Sequence, residues 1–199
     1  DGGGIQNQPG SGDISLSRTQ IYRDDFSTPT LDAGWSFDPG YTATDPNVVG
    51  DYSLTERPGY LRLKVGYPQD FYAGIKGGGV KMLRALPPGI DVSNFEVEAE
   101  INLESQQCRE AVVLMAQDLN NWIGVGIGRR FENTYEIGVI EDSVLNNNVP
   151  GGDPVIMNYG SNTIQLRVAR QGTWVTISVR DPASDSPSWR VVSTRNTAG

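Results

Sequence analysis

The stretch from Tyr52 to Leu63, Tyr-Ser-Leu-Thr-Glu-Arg-Pro-Gly-Tyr-Leu-Arg-Leu, leaves the backbone little choice. Pro58 presets φ for the second position of a tight turn, and Gly59 accepts the positive φ that a type II turn requires next. Apolar residues alternate on both sides, with Tyr52 and Leu54 before the turn and Leu61, Leu63 and Val65 after it. The spacing predicts a hairpin of two short strands with one buried face.

The same period recurs down the chain. Between Asn94 and Glu104, Phe95, Val97, Ala99, Ile101 and Leu103 share one face, while Glu96, Glu98, Glu100, Asn102 and Glu104 share the other. Ala111–Ala116 is a continuous apolar run, which predicts a central strand covered on both sides. Trp122–Gly128 and Thr134–Ile140 flank a loop and set Ile123, Val125 and Ile127 against Tyr135, Ile137 and Val139. Thr163–Ala169 and Trp174–Arg180 do the same with Ile164, Leu166 and Val168 against Val175, Ile177 and Val179. A last strand near Trp189–Val192 is expected to place Trp189 in the core.

No segment carries a 3.6-residue period, and 24 glycines and 12 prolines punctuate the 199 residues. Many short strands with marked turns predict an all-β fold, a sandwich of two antiparallel sheets over residues 20–199. Residues 1–19, rich in Gly, Ser, Gln and Asn, read as a polar tail or linker. Such a tail would add to a sheet edge of its own domain or of a neighbouring copy.

Composition removes several classes of function. A net charge of −8 disfavours nucleic acid and anionic membrane surfaces as partners. The absence of histidine excludes a Ser–His–Asp triad and a His-ligated metal centre. Cys108 is the sole cysteine, so neither an internal disulfide nor a cysteine cluster can form. No apolar run is long enough for membrane insertion by a helix. The opening Asp1-Gly-Gly-Gly suggests a processed or excised segment, and the composition suits an extracellular or cell-surface prokaryotic protein.

The residues Arg23-Asp-Asp-Phe26, Leu31-Asp32, Trp35, the Ser53–Leu63 block and Asn121-Trp-Ile-Gly-Val-Gly126 carry a likeness to a known family. Together with Leu166–Gly172, they resemble the concanavalin A-like sandwich appended to family-43 glycoside hydrolases, the β-xylosidases and arabinofuranosidases. The resemblance implies a jelly-roll of two curved antiparallel sheets and an association with carbohydrate chemistry. It carries over no catalytic residue, because the catalytic propeller of those enzymes has no counterpart in this sequence. Tyr41–Gly50 and Asp142–Pro154 look like insertions relative to the family pattern.

The candidate ligand-binding surface is the face opposite Ile123, Val125 and Ile127, which presents Trp122, Gly124 and Gly126 beside Glu136 and Gly138. Glycines leave a trough with few side chains, and an indole with a carboxylate suits a sugar ring. The alternative is that these glycines admit tight packing and Trp122 is buried. Trp174 and Tyr72 are further stacking candidates. Asp24, Asp25 and Asp181 are candidate ligands for one structural calcium, since sandwiches of this class often pin their chain ends with one.

The leading expectation is a non-catalytic domain that binds a polysaccharide or oligosaccharide. Two others stand beside it. One is a surface or filament subunit that self-associates through residues 1–19. The other is a sandwich-fold glycosidase or lyase using Glu96, Glu98 or Glu100.

Overall fold

Alternation becomes pairing along most of the chain. The computed structural model describes residues 20–40, 47, 49–65, 79–104, 109–117, 122–129, 135–141, 162–184 and 188–197. Among them there is no helix, and so none long and apolar enough to cross a membrane. The strands are β1 (Trp35–Asp38), β2 (Asp51–Ser53), β3 (Arg62–Lys64), β4 (Lys81–Arg84), β5 (Asn94–Asn102), β6 (Arg109–Ala116), β7 (Trp122–Arg129), β8 (Tyr135–Glu141), β9 (Thr163–Gln171), β10 (Trp174–Arg180) and β11 (Arg190–Asn196).

Every pairing is antiparallel. The largest sheet has the order β11-β10-β9-β5, a second the order β6-β7-β8, and β1-β4 and β2-β3 form two-stranded ribbons. In the largest sheet, register sets Val97 opposite Val168 and Ala99 opposite Leu166, with Val168 facing Ile177 and Leu166 facing Val179 on the other side. Leu166, Val168, Ile177 and Val179 meet Val125, Ile127 and Ile137 of the β6-β7-β8 sheet in one core cluster, while Val97 and Ala99 are half-buried. The result is an all-β sandwich, with the layers closed by burial of apolar side chains at about 25 cal/mol per Å².

The Pro58-Gly59 turn forms as expected. Gly59 takes φ 84°, and the Tyr60 N–H donates to the Arg57 carbonyl at 3.1 Å. The face of this hairpin differs from expectation. Leu54 is buried, but Leu63 and Val65 are exposed. With only three residues per strand, the ribbon is too short to bury its whole apolar set. The apolar run Ala111–Ala116 is likewise not central. Among the described residues β6 is an edge strand, and β7 takes the middle of its sheet.

Two local arrangements hold the β1-β4 corner. Gly50 donates its N–H to the Pro39 carbonyl at 2.6 Å, and a Cβ on it would lie 2.0 Å from Val80 Cγ2 and 2.7 Å from the Lys64 carbonyl oxygen. Asp38 accepts the Gly40 N–H at 2.9 Å and pairs with Lys81 Nζ at 3.1 Å, on a lysine side chain that is buried. Burial pushes the Asp38 carboxyl up, but the Gly40 amide and the Lys81 ammonium outweigh it and hold the group below its ordinary value.

Gly50→Ala is expected to destabilise the fold by about 1–3 kcal/mol through overpacking, read as a lower denaturant midpoint. The Asp38 pair sets a pH dependence. Because the folded carboxyl titrates below the unfolded one, its stabilisation is complete above the unfolded value of about 3.8 and is lost as pH falls through the folded value. Between about pH 5 and about pH 3 the melting temperature should fall, and Asp38→Asn should make that fall shallower.

Candidate functional site

Of the residues that carry the family likeness, Asp24, Phe26, Trp35 and Gly59 assemble into one corner. Asp24 is its hub. Oδ2 accepts the Tyr22 hydroxyl at 2.9 Å and the Trp35 indole N–H at 2.8 Å, while Oδ1 accepts the Phe26 N–H at 2.9 Å. Phe26 is thereby held at φ 51°, unusual for a residue with a side chain, and its ring lies 5.9 Å from that of Trp35. Its carbonyl accepts the Gly59 N–H at 3.2 Å, which ties this segment to the Pro58-Gly59 turn. Arg84 stacks on the Tyr22 ring at 3.6 Å, and burial with the Asp24 carboxylate holds the Tyr22 phenol above its ordinary pKa. The Asp24 carboxylate, the Tyr22 hydroxyl and the Trp35 indole N–H are engaged in holding the chain in place, while Arg84 Nε and one terminal nitrogen are buried without a hydrogen bond.

That engagement bears on the calcium expectation. Asp25 Oδ1 accepts the Ser27 N–H and Asp181 Oδ1 accepts the Ala183 N–H, both as local turns. The Ser27 contacts hold the Asp25 carboxyl below its ordinary value. Among the described residues no group of three or more His, Cys, Asp or Glu side chains could hold a metal ion. Asp24, Asp25 and Asp181 each accept hydrogen bonds from nearby groups of the chain.

The expected trough is closed. Trp122 is 5% exposed, and β7 is buried on both faces from Trp122 to Ile127. Register does bring the glycines together as expected, with Gly126 opposite Gly138 and Gly128 opposite Glu136. Alternation shows which residues share a face, but glycines serve equally for a ligand and for close packing, and here the indole is enclosed. This corrects the reading of Trp122, Gly124 and Gly126 as an open binding surface. Tyr72 lies outside the described residues.

The outer face of the β11-β10-β9-β5 sheet carries the next candidates. Val175, Ile177 and Val179 are buried on the inner row, while on the alternate row Trp174 is 52% exposed, Thr176 and Arg180 are half-buried and Ser178 is buried. Across the sheet, Glu98 lies opposite Arg167 and Glu100 opposite Gln165, which in turn faces Arg180. Arg180 Nε donates to Gln165 Oε1 at 2.6 Å, and Gln165 Nε2 donates to Glu100 at 2.9 Å. Arg167 donates to Glu98 at 2.6 Å and lies 3.7 Å from Glu96. Glu98, Ala99, Glu100, Gln165 and Arg180 line a shallow recess.

Trp189 is absent from the core. Its indole lies against both guanidinium groups of this face, 3.8 Å from Arg167 and 4.7 Å from Arg180. Sequence reading missed this arrangement, although the outward Glu ladder and the outward arginines were visible. The missing step was the cross-strand register that brings them together.

With the geometry in place, comparison with known proteins supports the fold. No family model matches the sequence, and neither does any curated protein. Among solved structures, the chain is similar to the Bacteroides ovatus protein called Xyloglucan PUL GH43B, with a TM-score of 0.57 and 17% identity over 91% of this chain and 32% of that one. The GH43 protein BlXynB of Bacillus licheniformis gives 0.59 and 17% over 86% and 30%, and a xylan beta-1,4-xylosidase of Bacillus halodurans gives 0.53 and 16% over 92% and 33%. This chain spans about a third of each of these proteins. The resemblance drawn from the sequence therefore holds at the level of the fold.

Asp24→Ala would strand the Trp35 indole N–H in a partly buried corner and leave the Tyr22 hydroxyl only its longer contact to Asp32 at 3.4 Å. A loss of about 2–3 kcal/mol of unfolding free energy is expected, with recovery of part of it in Asp24→Asn, measured by denaturant titration.

Proposed function

We propose that this chain is a non-catalytic carbohydrate-binding domain whose ligand occupies the outer face of the β11-β10-β9-β5 sheet. The observation that carries the reading is the row Glu100–Gln165–Arg180. It sets a carboxylate, an amide and a guanidinium side by side, already oriented by the hydrogen bonds among them. Planar acceptors and donors in alternation match the paired hydroxyls of a sugar ring, and fixing them in advance lowers the entropy lost on binding. Trp174 adds an exposed indole on the same face for stacking against C–H groups.

Two further points support a binding role. Glu98 and Glu100 lie on one strand and are engaged by Arg167 and Gln165, an arrangement of a polar surface rather than of two hydrolytic carboxyls flanking a bond. The structural relatives include proteins named for xylan and xyloglucan, which makes those glycans the first ligands to test.

Affinity electrophoresis against xylan, xyloglucan, arabinan and a β-glucan tests the reading. Retention on at least one neutral glycan is expected. Glu100→Gln should weaken it about tenfold, the loss of one charge-assisted hydrogen bond, with an unchanged melting temperature. Unretarded migration on all four would refute it.

A further inference from the structure

Resting on that reading, we propose that the ligand is an extended, uncharged glycan chain lying along β10 from the recess to Trp174, rather than a single terminal sugar. Two features of the same face carry this.

The first is span. Trp174 and Arg180 begin and end β10, and both point outward because the residues alternating with them are buried. They lie six positions apart, which at about 3.4 Å per residue is roughly 20 Å, a length that takes about four linked rings and that no single ring can bridge. The surface next to the exposed indole is low, since Thr176 lies opposite Ala169 on one side and Thr194 on the other. Further along the row Ser178 is buried opposite Arg167, so a chain would pass there over the Arg167–Trp189 pair. Trp189, laid against Arg167 and Arg180, stands at the recess end of the same path.

The second is charge. The outward rows from Asn94 to Glu100 carry three carboxylates, Glu96, Glu98 and Glu100, against two guanidiniums, Arg167 and Arg180. Arg167 is committed to Glu98 and Glu96, and Arg180 to Gln165 and Trp189. A chain of uronic acids would meet a surface without surplus positive charge, on a protein whose net charge is −8. Neutral hydroxyls meet acceptors and donors at no such cost.

The test is calorimetric titration of the whole chain with xylo-oligosaccharides from the monosaccharide to the hexamer, beside oligogalacturonides of the same lengths at low salt. Affinity should rise about tenfold or more from the disaccharide to the tetramer and then level off. Trp174→Ala should remove that gain and leave the disaccharide unchanged, with circular dichroism confirming the fold. Equal affinity at every length, or equal weakening of disaccharide and hexamer in Trp174→Ala, would show a single-ring site and overturn the proposal. Tighter binding of the oligogalacturonides would overturn its charge argument. If no neutral oligosaccharide or polysaccharide binds at all, the site reading itself fails and takes this inference with it.

Discussion

Closure of two sheets over a strip of branched aliphatic side chains governs what every other surface of this molecule can do. Val125 and Ile127 come from β7, Ile164, Leu166 and Val168 from β9, and Ile177 from β10, and all are shut off from water. Because strand side chains alternate, burying those rows fixes in advance which residues face outward. Glu98, Glu100, Gln165, Arg167, Trp174 and Arg180 lie on the outer face for that reason. Hydrogen bonds join Glu98 to Arg167 and run from Glu100 through Gln165 to Arg180.

The residues that carry the likeness in the chain's first third lie away from that outer face. Asp24, Phe26, Trp35 and Gly59 carry the likeness to the family-43 sandwich, and they are spent on one another, joining the segment before β1 to the turn between β2 and β3. A likeness carried by such a corner reports architecture. At 16–17% identity to the solved structures, architecture is also what those structures share with this chain.

Much of the fold was legible because period-2 patterning and turn chemistry are local. The β9–β10 and β7–β8 hairpins, the Pro58-Gly59 turn and the two faces of β5 follow from residues a few positions apart. What stayed hidden was long-range. Nothing within Trp122–Gly128 says whether a second layer covers its glycine face, and Trp122 is enclosed. Nothing near Trp189 says that Arg167 and Arg180, distant in sequence from one another, are adjacent across β9 and β10 and receive its ring. The apolar run of β6 looked central because composition cannot distinguish a middle strand from an edge that packs well.

The four tryptophans of the chain stand in different surroundings. Trp35 is bound to Asp24, Trp122 is enclosed, Trp189 rests on two arginines and Trp174 is open. Following the four indole N–H resonances of an isotope-labelled sample during titration with a neutral xylo-oligosaccharide therefore distinguishes the outer face of the β11-β10-β9-β5 sheet from that of β7 as the binding surface. The Trp174 signal is expected to move with saturation while those of Trp35 and Trp122 stay fixed. Movement of Trp122 with Trp174 unchanged would contradict it and return the binding surface to the glycine-lined sheet.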